Sequence, residues 1–79
     1  MKEVAPTYEE FYKEVKEGFR FWWKSLSEKE VDDYLHSEEE KIRRDYQTYL
    51  NEFNKGEIDR KTFMIGGASS VAYCLQMMY

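Results

Sequence analysis

The segment TFMIGGASSVAYCLQMMY, residues 62–79, decides the fold because it contains no Lys, Arg, Asp or Glu. All 12 basic and all 16 acidic residues of the 79-residue chain precede it. A helix without charged side chains has no obvious water-facing side. We therefore predict a C-terminal helix that is enclosed by the rest of the chain, by a second copy or by a partner.

The length and composition of the chain limit how the fold can be stabilised. Seventy-nine residues make one small domain, 1–79, with a small hydrophobic core. Cys74 is the only cysteine, so no disulfide forms within the chain. Cys74 and His36 do not make a zinc site, and we expect neither a metal nor a cofactor. The seven Tyr, five Phe and two Trp residues instead favour dense aromatic packing.

The charge balance and the N-terminus point to a cytoplasmic protein. The N-terminus has no apolar run of signal-peptide length. A net charge of −4 argues against direct binding to duplex DNA, which requires a basic surface. Gly, Ser, Thr and Gln dilute residues 62–79, so we expect no membrane span there.

Helix-start signals divide the chain into four segments. Capping boxes, in which a Ser or Thr precedes a Glu by three residues, open three of them: Thr7–Glu10, Ser27–Glu30 and Ser37–Glu40. Asp59 is the predicted N-cap of the last segment. The pattern predicts an all-α bundle of three to four helices at about 8–24, 28–36, 38–54 and 60–78, with the uncharged helix central.

Apolar side chains recur at helical spacing in each segment. In helix 1 they are Tyr8, Phe11, Tyr12, Val15, Phe19 and Trp22; in helix 2, Val31, Tyr34 and Leu35; in helix 3, Ile42, Tyr46, Tyr49 and Phe53. Helix 4 carries two stripes, Met64-Ala68-Val71-Leu75-Met78 for a neighbouring helix and Phe63-Gly67-Ser70-Cys74-Met77 beside it.

An acidic stretch is the strongest predicted surface feature. Its carboxylates are Glu28, Glu30, Asp32, Asp33, Glu38, Glu39 and Glu40, and Lys29 is the only base among them. Two helix starts account for part of this charge, since carboxylates stabilise helix N-termini. The remainder is either a solubilising face or a docking patch for a basic surface.

Phe21, Trp22 and Trp23 are consecutive and span about 200° of a helix circumference. If Trp22 lies in the core stripe, Phe21 and Trp23 are either exposed, as anchors for a partner, or covered by helix 2. The sequence leaves both arrangements open.

The chain offers no pattern typical of catalysis. Asp32 and Asp33 are adjacent, so on a helix they point about 100° apart, and acid/base work needs two groups in one cleft. His36 fits the C-terminal end of helix 2. We therefore expect no enzyme.

In size and charge the chain is similar to accessory proteins of phages and mobile elements, including inhibitors of host nucleases and of CRISPR effectors. That resemblance implies a partner with a basic surface, such as a nucleic-acid enzyme. The first hypothesis is a non-enzymatic module that docks its acidic patch on such a protein. The alternative is a structural homodimer formed through the second stripe of helix 4.

Overall fold

The computed structural model describes residues 4–78, which form four α-helices and no strand. The all-α prediction is thus confirmed. Residues 1–3 and Tyr79, the last residue of the uncharged segment, lie outside the described residues. The helices are α1 (Tyr8–Trp22), α2 (Glu28–Ser37), α3 (Glu39–Asn54) and α4 (Ala68–Met78), with a π-helical segment (Thr62–Gly67) directly before α4.

Two of the three predicted capping boxes start helices. The Thr7 hydroxyl accepts a hydrogen bond from the Glu10 backbone N–H, and the Glu10 carboxylate accepts one from the Thr7 N–H. Ser27 and Glu30 make the same pair of bonds at α2. These side chains satisfy backbone donors that the first turn of a helix leaves free.

The third predicted box, at Ser37, is wrong. The Ser37 hydroxyl donates to the carbonyl oxygen of Tyr34 at 2.6 Å, within α2. Glu38 ends α2 and also precedes α3, which has no side-chain cap. The chain thus passes from α2 to α3 without the extended residue that a capping box requires.

The two serines make a matched test of these assignments. Ser27→Ala should lower the free energy of unfolding by about 1 kcal/mol, since it removes a working N-cap. Ser37→Ala removes only a bond back to the preceding turn and should cost less than about 0.5 kcal/mol. Urea denaturation followed by circular dichroism measures both, and equal losses would contradict the assignment of the caps.

The core forms where the four helices meet. Its buried side chains come from every helix and from the π-helical segment: Phe11, Val15, Phe19, Val31, Leu35, Ile42, Phe63, Ala68, Val71, Ala72 and Leu75. Two tyrosines lie at the ends of the core and donate hydrogen bonds to backbone carbonyl oxygens. The Tyr34 hydroxyl donates to Leu75 at 2.9 Å, and the Tyr46 hydroxyl donates to Pro6 at 2.7 Å. A half-buried phenol can pack its ring in the core while its hydroxyl keeps a partner.

The C-terminal helical run departs from the regular helix predicted over 60–78. Helical turns do begin at Arg60, and Asp59 accepts a hydrogen bond from the Thr62 backbone N–H at 2.7 Å, as predicted for an N-cap. The next turns are π-helical, in which backbone bonds join residues five apart. This wider turn lets Phe63 and Ala68, five residues apart, both face the core.

Helix α4 packs mainly along α1. The Phe11 ring lies 5.7 Å from the Phe63 ring, and Gly18 lies against Ala72, so the two segments run in the same direction. A Cβ atom added to Gly18 would lie 3.0 Å from the Ala72 Cβ atom. The absence of a side chain at Gly18 therefore sets how closely the two helices approach.

The described part of the chain does not enclose α4, contrary to one of the predicted arrangements. The inner side of the uncharged segment is buried at Phe63, Ala68, Val71, Ala72 and Leu75. Its outer side is exposed at Ile65, Ser69, Ser70, Tyr73, Cys74, Met77 and Met78. Among the helices of residues 4–78, only α1 packs extensively along α4, so half of this uncharged helix remains open.

Candidate interaction surfaces

The acidic surface consists of Glu28, Glu30, Asp32, Asp33, Glu38, Glu39 and Glu40, the residues named from the sequence. Four of them belong to α2, Glu38 joins α2 to α3, and Glu39 and Glu40 lie in the first turn of α3. Val31 and Leu35 bury the inner side of α2 against the core. The carboxylates therefore lie along the flanks and outer side of α2 and around the start of α3.

Five of these carboxylates already have partners in the chain. Lys16 on α1 binds Asp32 at 2.7 Å and Glu28 at 3.3 Å. The other pairs are Lys29 with Asp33 at 3.0 Å, Arg43 with Glu39 at 3.6 Å, and the capping bond from the Ser27 backbone to Glu30. Within residues 4–78, Glu38 and Glu40 make no ion pair.

Carboxylates of both α2 and α3 influence Tyr12 on α1. Burial raises the pKa of Tyr12, and the negative charges of Asp32 and Glu39 raise it further. Carboxylates from two helices therefore act on one phenol of α1. The hydrogen bond to Asp32 raises the pKa of Lys16, which is held in its charged form beside these acids.

The two candidate aspartates have different ion-pair partners. Asp32 points to Lys16 on α1, whereas Asp33 pairs with Lys29 on the outer side of α2. His36 is exposed and lines a shallow groove. The same groove contains Arg43, whose guanidinium lies 4.2 Å from the centre of the Tyr8 ring.

The aromatic run Phe21–Trp23 differs from the prediction in one respect. Phe21 is exposed, as one of the two predicted arrangements required. Trp22, assigned to the core stripe, is also exposed, and Trp23 packs against the core instead. Trp23 lies four residues after the buried Phe19, and its N–H still bonds to the Phe19 carbonyl oxygen at 3.0 Å, so it continues the row of Phe11, Val15 and Phe19. Trp22 is turned about 100° away from that row. Trp22, rather than Trp23, is therefore the second open aromatic.

These two rings border a largely apolar surface formed by α1, the π-helical segment and α4, with Glu17 at its groove. The open face, as we define it, consists of Phe21, Trp22, Ile65, Tyr73 and Met77, each more than half exposed. The Phe21 and Trp22 rings meet edge to face at 5.8 Å between centroids. Between the helices lies a groove of about 520 Å³, bordered by Phe21, Trp22 and Tyr73 and floored by Gly18 and Ala72.

Sequence reasoning missed most of this face. Ile65, Ser69, Tyr73 and Met77 recur every four residues, the spacing of one side of a helix. Only Met77 belongs to either predicted stripe. The dimer stripe as predicted is split, because Phe63 and Gly67 are buried inside the chain while Ser70, Cys74 and Met77 are exposed.

Comparison of the chain with models of known protein families, with curated proteins and with solved structures found no match. Among residues 4–78 no helix is long and apolar enough to cross a membrane. The same residues contain no group of three or more His, Cys, Asp or Glu side chains placed to hold a metal ion.

Proposed function

We propose that this protein is a non-enzymatic, cytoplasmic binding module that docks its acidic surface on a basic surface of a larger protein. The observation that supports this most is the continuity of the acidic surface, which runs from α2 through Glu38 to Glu39 and Glu40 in the first turn of α3. A continuous patch of one sign attracts a complementary patch over distances of about the Debye length, about 8–10 Å in physiological salt.

The ion pairs within the chain leave the acidic carboxylates available to a partner. The side chains of Glu28 and Asp33 are 66% and 68% exposed in their pairs with Lys16 and Lys29. Exposed pairs of this kind contribute about 0–1 kcal/mol, because water and salt screen them. Lysines and arginines of a partner can therefore compete with Lys16 and Lys29 at little cost.

The negative charge of the acidic surface indicates which class of protein the partner belongs to. A protein surface that binds nucleic acid is lined with Lys and Arg, which contact phosphates. Carboxylates fixed along α2 and at the start of α3 would occupy such a groove in place of phosphates. The module would then act as an inhibitor of a nucleic-acid enzyme, in keeping with its similarity in size and charge to phage and mobile-element inhibitors.

The test has two steps. The tagged protein first captures its partner from the native cell, and the affinity of the purified partner is then measured for the unchanged protein and for two double variants. Asp33→Lys with Glu40→Lys reverses two exposed carboxylates of the acidic surface that take no part in helix capping. We expect affinity to fall about tenfold or more, mainly through slower association. For the unchanged protein, affinity should fall steeply between low and high salt.

The matched control is Glu52→Lys with Glu57→Lys, which changes the net charge equally but lies outside the acidic surface. It should bind as the unchanged protein does. An affinity that is independent of salt, or an equal loss in both double variants, would contradict docking through the acidic surface.

A further inference from the structure

We infer that the open face is the surface through which two copies of this chain associate. This inference is independent of the acidic surface, because it rests on a different set of residues on α1, the π-helical segment and α4. It also differs from the dimer stripe predicted from the sequence, since only Met77 is common to both.

The size of the open face is the first argument. Its five side chains are 53–67% exposed. Taking about 150–250 Å² for a whole aromatic side chain, these five expose on the order of 600 Å². The largest apolar patch of an ordinary monomer is about 300–600 Å². A standard interface takes about 600–1,000 Å² from each partner, so the area reaches the lower end of what one side of a stable dimer buries.

The absence of charge is the second argument. In the described part of the chain, no charged residue lies between Thr62 and Met78. Homodimer interfaces are more apolar than transient ones, and their centres are depleted of charge. Two charged side chains accompany the open face on the α1 side: Glu17 lines the groove, and the Lys24 ammonium lies 5.1 Å from the centre of the Phe21 ring. Charged groups of this kind suit the polar rim of an interface.

The shape of the face is the third argument. A two-fold symmetric dimer needs a surface that fits itself, with ridges that enter grooves. The rings of Phe21, Trp22 and Tyr73 stand beside the groove above Gly18 and Ala72. Because a two-fold axis presents the same groove to the same rings, each copy can place an aromatic side chain over the small residues of the other.

The small size of the chain gives the association a physical benefit. A core of this size supplies only about 3–5 kcal/mol of stability, and small domains commonly compensate by oligomerisation. The only cysteine is exposed and unpaired, which excludes a disulfide within the chain as compensation. Covering the open face in a dimer would add burial that the single chain lacks.

Sedimentation equilibrium from low to high micromolar concentration, in the presence of a reducing agent, tests the inference. The reducing agent excludes covalent dimers through Cys74. The unchanged protein should pass from monomer to dimer. Tyr73→Glu and Trp22→Glu, each at an exposed position, should raise the dissociation constant about a hundredfold or more, since central aromatic residues dominate interface energies.

Gln47→Glu is the matched control, because it adds the same charge at an exposed position of α3. It should leave the dissociation constant unchanged, as should Asp33→Lys with Glu40→Lys on the acidic surface. Circular dichroism should show every variant folded. A chain that stays monomeric at all concentrations, or a dimer that both Tyr73→Glu and Trp22→Glu leave intact, would overturn the inference. A dimer that persists when the acidic-surface variant loses its partner would separate this inference from the proposed function.

Discussion

Phe63→Ala should unfold much of the chain at room temperature. Phe63 is fully buried in the π-helical segment, and its ring lies 5.6–6.2 Å from the rings of Phe11, Tyr46, Tyr49 and Phe53. Truncating a buried Phe to Ala removes about 3–5 kcal/mol, through lost burial and the cavity that remains. A small core supplies about 3–5 kcal/mol in total, so the loss is comparable to the whole stability.

Circular dichroism and urea denaturation at dilute concentration measure this effect. Phe63→Leu retains most of the volume and should leave a cooperative transition at lower urea. Tyr73→Ala shortens an exposed side chain of α4. At dilute concentration it should change the free energy of unfolding by less than about 0.5 kcal/mol. A folded Phe63→Ala protein with near-native stability would show that the aromatic cluster around Phe63 is not the core.

Gly18→Val should have the second-largest effect. A Cβ atom at Gly18 meets the Ala72 Cβ atom at 3.0 Å, and both atoms are attached directly to helix backbones. Neither can turn aside, so α1 and α4 must separate. Overpacking of this kind costs about 1–3 kcal/mol, which exceeds the gain in helix propensity over glycine.

Two further variants distinguish the close approach from a general effect of glycine. Gly66→Ala places its Cβ atom 3.7 Å from the Thr62 methyl group, an ordinary contact, and should stabilise the helix by up to about 1 kcal/mol. Ala72→Gly makes room opposite Gly18, so Gly18→Val should cost at least about 1 kcal/mol less in that background. Additive free energies in this double-mutant cycle would show that residues 18 and 72 do not touch.

The sequence was sufficient for the fold class and for most helix starts. Thr7 and Ser27 could be identified as N-caps from the sequence, because a capping side chain bonds to a backbone N–H only three residues further along the chain. Apart from Trp22, the stripes that α1–α3 turn to the core also followed from the sequence, because residues three and four apart share one side of a helix. The prediction of an N-cap at Ser37 was wrong, because a serine in the same motif can instead donate its hydroxyl to a carbonyl oxygen of the preceding helix.

The open face could not be predicted because it depends on how many helices surround α4. A residue without charge is suited to either a core or an interface, and the sequence pattern does not distinguish the two. Trp22 was placed in the core stripe by its three-residue step from Phe19, whereas the four-residue step from Phe19 to Trp23 is the one that leads to the core. Both steps occur on one side of a helix, so spacing alone did not decide between the two rings.

The residues of the acidic surface could be named from the sequence, but their ion pairs with α1 could not. Lys16 lies 12 residues from Glu28 in sequence and reaches it only because α2 folds back on α1. Helical spacing does predict the local pairs of Lys29 with Asp33 and of Arg43 with Glu39, which are four residues apart.

Hydroxyl-radical footprinting over a dilution series tests the central claim, that α4 buries one side in its own chain and leaves the other open. At the highest dilution, Trp22, Tyr73 and Met77 should be strongly oxidised while Phe63 and Leu75 are protected. Protection of Tyr73 and Met77 should then appear as the concentration rises. Protection of Tyr73 and Met77 in a protein that is monomeric at every concentration would contradict the account, because its own chain would then enclose the uncharged helix.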